Sequence, residues 1–155
     1  MSRLPNSSFR TIYPAEYWMP AIELEVQRAG GVGRLSLLGV HTVSPHAEDG
    51  KRTEFRNQQL KALANWASDR QSGAIIIGDL NVTAWSPPFW RLIEEGRLVD
   101  SSWYRGYFPS WPTMLQKLGI PIDHALVNDK IKVLDRRNIY GRSGSDHYPI
   151  VVSIQ

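Results

Sequence analysis

Apolar positions recur along this chain with two different periods. From Ala21 to Arg28 (AIELEVQR) they alternate with polar ones, with Ile22, Leu24 and Val26 on one face. That alternation predicts a half-buried strand with Glu23 and Glu25 on its solvated side. A glycine-rich turn, Ala29 to Gly33, leads to a second run, Arg34 to His41 (RLSLLGVH), and the pair predicts a hairpin. After the polar loop Thr42 to Arg52 the period lengthens. Thr53 to Gln71 has no proline or glycine and carries Leu60, Leu63, Ala64 and Ala67 at spacings of three and four, the stripe of an amphipathic helix.

Ala74 to Val82 (AIIIGDLNV) places three isoleucines before Gly78, which predicts a buried strand. Ser86-Pro87-Pro88 then opens a short helix over Pro88 to Glu95, closed by Gly96. Val99 to Gly119, rich in aromatics, prolines and glycines, reads as a structured loop region. Ile122 to Val127, Ile131 to Ile139 and Tyr148 to Ile154 predict further strands, with a polar turn at Gly141 to Asp146. The first twenty residues carry Pro5, Pro14 and Pro20 and no clear period, so they read as an irregular lead-in. Two helices among about six strands predict a layered mixed α/β domain. The 155 residues make one domain, 1–155, long enough to bury a core.

Composition narrows the chemistry. With 42% apolar and 21% charged residues the chain has the make-up of a soluble globular protein, and no apolar run approaches a membrane span. The N-terminal residues MSRLPNSSFRTIYP lack the apolar centre of a signal peptide, so the expected location is cytoplasmic by default. There is no cysteine, so any metal would rest on oxygen and imidazole. The net charge of +3 is compatible with a polyanionic partner without requiring one. Of the six tryptophans, Trp85, Trp90, Trp103 and Trp111 fall in or near connections, where they either anchor loops on the core or stack on bases.

Polar residues interrupt the apolar strands at four places. Asp79 and Asn81 follow the isoleucines, and alternation puts both on one side if the strand continues that far. Two oxygen donors there suit a hard divalent cation, and equally an Asp/Asn turn. His41 closes its strand, Asp123 and His124 lie within IPIDHALV, and Ser145-Asp146-His147 precede the last strand. An acid set into a strand is costly unless it is paired or binds a metal. His124 and His46 read as structural or solvent-facing. Lys130, Lys132, Arg136, Arg137 and Arg142 form a basic stretch, read as a solvated face with phosphate-backbone contact as the alternative.

GDLN at 78–81, IDH at 122–124 and SDH at 145–147, with His41 upstream, resemble the C-terminal part of the endonuclease/exonuclease/phosphatase (DNase I-like) superfamily. The likeness runs from about Arg10 to the end and takes in Arg56-Asn-Gln-Gln-Leu60 of the helix. It implies a mixed β-sheet with helices on one face, one half of a four-layer α/β sandwich. It also implies a phosphodiester hydrolase dependent on Mg²⁺ or Mn²⁺, with DNA the favoured substrate. By the resemblance, Asp79 polarises the attacking water, and Asn81 holds phosphate or metal oxygens. Asp146 ligates metal, together with Asp79 and Asn81. His147 contacts the phosphate and moves a proton with Asp123 orienting its ring, and His41 donates to a phosphate oxygen. A phosphatase, a lipid phosphodiesterase, or an inactive form that binds nucleic acid without cutting it are the alternatives.

The chain departs from that family in its first part. The family's N-terminal half supplies an asparagine and a glutamate that bind metal, and among Glu16, Glu23 and Glu25 no match to the glutamate is found. The expectation is therefore an N-terminally truncated domain with weaker metal binding. A sheet covered on one face leaves the other bare. Hence two copies are expected to pack sheet to sheet as a homodimer.

Overall fold

Strands β1 (Ser7–Ile12), β2 (Ala21–Gln27), β3 (Arg34–His41), β4 (Gly73–Asp79), β5 (Leu98–Asp100) and β6 (Asp123–Asn128) form one six-stranded sheet in the order β1-β2-β3-β4-β6-β5. The computed structural model describes residues 7–16, 18–27, 33–45, 50–141 and 144–155. Within the sheet β3 and β4 run parallel and every other pair is antiparallel. A parallel pair needs a crossover, and α1 (Gly50–Ser68) supplies it. A second helix, α2 (Pro87–Gly96), has Ser86 as its N-cap and proline in its first turn, and the chain leaves it through Arg97 in the left-handed conformation. Strands β7 (Val133–Asn138) and β8 (Ile150–Ile154) make a separate antiparallel pair.

The apolar stripe of α1 faces the sheet. Leu60, Leu63, Ala64 and Ala67 pack with Phe89, Leu92 and Ile93 of α2 onto Leu38, Ile76 and Leu126. Burying such side chains contributes roughly 1.5–3 kcal/mol each. Register partners share a face, so the opposite face carries Phe9 and Leu24, then Leu37, Ile75 and Val127. Here β7 and β8 cover only part of the sheet, through Val133 and Ile154 packed with Ile131 against Ile75 and Val127. Toward the β1 edge the cover ends, leaving Phe9 80% and Ile22 58% exposed. The mixed α/β fold with helices on one face is therefore the architecture observed.

Three expectations are corrected. The lead-in contains β1, an edge strand with mostly exposed residues and hence no apolar alternation to reveal it. Two of the three residues of β5, Val99 and Asp100, lie within the stretch read as loop. In β2 the expected burial fails at two positions, Glu23 being buried and Ile22 exposed, while Val26 on the Ile22 face is buried as expected. Glu23 lies on the side covered by α1, where it accepts a hydrogen bond from the Trp66 indole at 2.9 Å and pairs with Arg10 and Arg70. Burial pushes its carboxyl up, but the bonds from Arg10, Trp66 and Arg70 outweigh this and hold it at about 2. The alternation was real, but it could not say which face the helices would choose. The expected β2–β3 turn falls largely outside the described residues.

Candidate active site

The last residue of β3, the last of β4 and the first of β6 stand in one row. His41 is the register partner of Asp79, and Asp79 of Asp123. All three thus point from the same face at one end of the sheet. His41 Nε2 lies 3.5 Å from Asp79 Oδ2. His147 arrives from the segment before β8, with Nδ1 2.7 Å from Asp123 Oδ2 and Nε2 4.0 Å from Asp79 Oδ2. The ring thus spans two carboxylates.

Gly78 explains how β4 can end so close to β3. Its φ is +142°, and a Cβ there would sit 1.9 Å from the Val40 carbonyl oxygen. Only glycine fits. Asp79 and Asn81 do come together, although not by strand alternation, because β4 stops at Asp79. Asn81 instead has φ 46°, its backbone N–H donates to Asp79 Oδ1 at 2.8 Å, and its Nδ2 donates to Asp79 Oδ2 and the Thr42 carbonyl. An Asx turn makes the pair. Burial pushes the Asp79 carboxyl above its ordinary value, and Asp123 adds to this against the Asn81 N–H and the two histidines.

Asp123 is fixed from behind. Its N–H donates to Ser110 Oγ at 3.1 Å, and its carbonyl accepts from Arg136 Nη2 at 3.1 Å. Arg136, read from sequence as part of a solvated face, is 3% exposed and turned inward toward Asp100. Lys130 and Arg137 stay at the surface beside Asp129 and Asp135, while Arg142 and His46 lie outside the described residues. His124 is structural, as read: its Nδ1 lies 2.7 Å from Asp100 Oδ2 and its Nε2 2.8 Å from the Val82 carbonyl. It ties β6 to β5 and to the turn after Asn81.

A cavity of about 490 Å³ opens at this end of the sheet, lined by His41, Asp79, Asn81, His147, Arg56 and Trp111 among others. Sequence reasoning did not assign Arg56 or Trp111 to the site. The Trp111 indole donates to Asp146 Oδ2 at 3.1 Å, and its ring lies 6.3 Å from that of His147. Asp146 is exposed and is not among the residues lining the cavity. Among the described residues no group of three or more His, Asp or Glu side chains is placed to hold a metal ion. Asp79 and Asn81 offer oxygen donors to the cavity, and a six-coordinate cation held there would fill its remaining positions with water and substrate oxygens.

Solved structures share this architecture. The chain is similar to an endonuclease/exonuclease/phosphatase from Beutenbergia cavernae, with TM-score 0.72 and 17% identity over 98% of this chain and 45% of that one. It is similar to the Xenopus laevis APE2 catalytic domain, with TM-score 0.69 and 18% identity over 88% of this chain and 55% of that one. A Bacteroides thetaiotaomicron mannosyl-6-phosphatase gives TM-score 0.64 and 16% identity over 98% and 66%. The chain thus spans about half to two thirds of the length of these proteins. No curated protein sequence matches it. The profile of the Endonuclease/Exonuclease/phosphatase family matches residues 1–147, and this chain belongs to that family.

Proposed function

We propose that this chain hydrolyses phosphodiester bonds in DNA by attack of water at phosphorus. The observation that carries the reading is the His41–Asp79–Asp123 row with His147 held between the two acids. Asp79 takes a proton from the attacking water, a role suited to a carboxyl pushed above its ordinary value. His147, oriented by Asp123, and His41 direct N–H groups at the non-bridging oxygens, where negative charge grows, and as the bond from phosphorus to the leaving sugar oxygen breaks His147 gives that oxygen a proton. The Asn81 amide spends its N–H on Asp79 and the Thr42 carbonyl, which leaves its oxygen for the bound group. The mildly basic charge favours a polymer over a small phosphate ester.

A divalent cation, Mg²⁺ or Mn²⁺, belongs to this reading through the family. Its chemistry would be Lewis-acid stabilisation at the phosphate. By the family resemblance Asp79, Asn81 and Asp146 would hold it, with Asp79 and Asn81 lining the cavity and Asp146 standing outside it. The gap in the ligand set keeps every step above on the protein's own residues. The reading also treats the chain as one domain, and takes the bare face around Phe9 and Ile22 as the contact with a second copy.

Plasmid DNA incubated with the protein and Mg²⁺ or Mn²⁺ tests the reading, with chelator, Asp146→Ala and His147→Ala as controls. Metal-dependent nicking that both variants lose is expected. Cleavage of a chromogenic phosphate ester with DNA untouched would transfer the assignment to a phosphatase or lipid phosphodiesterase. DNA binding without any cleavage would make the protein a binder. The mannosyl-6-phosphatase among the similar structures keeps the small-ester arm worth running.

A further inference from the structure

Among the described residues, Arg56 is a buried cation with no acid to balance it. It is 7% exposed on α1, yet among the described residues no carboxylate lies within ion-pair distance of it. Its hydrogen-bond partners among the described residues are neutral oxygens. Nε donates to Asn57 Oδ1 at 2.9 Å, and Nη1 donates to the Asn81 carbonyl. A guanidinium has five N–H groups, so Nη2 is left without an acceptor among the described residues. Burial lowers its pKa from the ordinary value.

Arg136, which is also buried, and the partly buried Arg70 differ on this point. Arg136 lies 3.5 Å from Asp100, and Arg70 pairs with Glu23. Desolvating a charge is costly unless a partner compensates. For Arg56 the missing partner has an obvious entrance, because the residue lines the same cavity as Asp79 and His147.

Position decides which anion it is. His41, Asp79 and Asp123 stand on the sheet face away from the helices. Arg56 enters the cavity from the helix layer, braced on the carbonyl of Asn81 two residues past Asp79. A phosphoryl group seated between His41 and His147 has its charge met without Arg56. We propose that Arg56 is a second phosphate station, taking the phosphate next to the one being cut, so that the substrate class is a chain of linked phosphates and not an isolated phosphoester. The inference rests on the phosphoester reading of the site and narrows it. The planar fork of the guanidinium suits two oxygens of one phosphate.

Binding of inorganic phosphate and of a short oligothymidylate, measured by calorimetry on wild type, Arg56→Gln and Arg56→Lys, tests this. Arg56→Gln is expected to weaken oligothymidylate about tenfold or more and to flatten the slope of log affinity against log salt by about 0.7, as loss of one single-strand phosphate contact should. Inorganic phosphate is expected to change less than twofold, and Arg56→Lys to keep part of the oligonucleotide affinity. Thermal melting of each variant reports whether the Asn81 turn has been disturbed. An unchanged oligonucleotide affinity in Arg56→Gln overturns the inference, as does equal loss for both probes or loss that follows a fall in melting temperature in both variants. Those outcomes leave the phosphoester reading standing if wild type still nicks plasmid DNA. Wild type that binds neither probe and cuts nothing overturns both.

Discussion

His147 is held by Asp123 at 2.7 Å through Nδ1, which turns its Nε2 toward Asp79, 4.0 Å away. One acid therefore fixes the ring that faces another. In the proposed reaction Asp123 never touches the phosphate, so its replacement should lower turnover without loosening the substrate. Asp123→Asn, which keeps the shape and loses the charge, is expected to lower kcat about 10²-fold with KM little changed. Steady-state kinetics on a DNA substrate checks the split. A loss confined to KM would remove Asp123 from this role.

In the proposed reaction Asp79 sets the acid side of the pH profile. Its carboxyl is raised above the ordinary 3.8, first by burial and then by Asp123. As pH falls through that raised value, Asp79 takes up a proton and can no longer accept one from water. Activity should therefore fail at a pH above that of an exposed aspartate. A log kcat/KM profile should show this limb in wild type, and Asp79→Asn should abolish the activity that defines it.

Glu23 makes stability depend on pH. Its folded value of about 2 lies below the ordinary 4.5, so its contribution is present above 4.5 and is lost as pH falls from 4.5 toward 2. Glu23→Gln leaves the buried Trp66 and Arg70 groups poorly matched and should cost about 3 kcal/mol at pH 7. Urea unfolding of both proteins should show a large gap at pH 7 that narrows below pH 4.

Gly78 is expected to tolerate no side chain. With a Cβ 1.9 Å from the Val40 oxygen and a φ of +142°, Gly78→Ala must push β3 and β4 apart at the site. A loss of more than 4 kcal/mol, or failure to fold, is expected, which places the change among the exceptional ones. A near-native melting temperature for this variant would contradict it.

The bare sheet face predicts an oligomer. Ile22→Glu and Phe9→Glu change side chains that are 58% and 80% exposed and should not touch the core. Light scattering should find a dimer for wild type and a monomer for the double variant. A wild-type monomer at micromolar concentration would end the dimer proposal.

The sequence was most legible where local pattern and burial agreed. The leucines of α1 fall where their period puts them because burial there follows one face, and the isoleucines of β4 form an unbroken run because that strand is covered on both faces. It was least legible where a polar residue sits inside or an apolar one outside. Glu23 and Ile22 exchanged burial because alternation is symmetric until something covers one side. Asn81 reached Asp79 through a left-handed turn that no strand period describes. The motif residues His41, Asp79, Asn81, Asp123 and His147 were named from sequence and meet at one end of the sheet, whereas Asp146 turns to Trp111 outside the cavity. Arg56 was noticed only as part of a helix motif. A lone arginine on an amphipathic helix gives no local sign that it lacks a partner.

The spacing of His41, Asp79 and Asp123 is set by ladder hydrogen bonds between three neighbouring strands, while Ser44, Pro45, Trp111 and Ile120 on the cavity wall come from connections. In the proposed function, catalytic spacing and substrate choice are thus encoded in separable parts of the chain. A loop exchange at 44–45 or 111–120 should retune what enters the cavity while the sheet continues to hold the reacting groups in register, which makes this end of the sheet a scaffold for altered specificity.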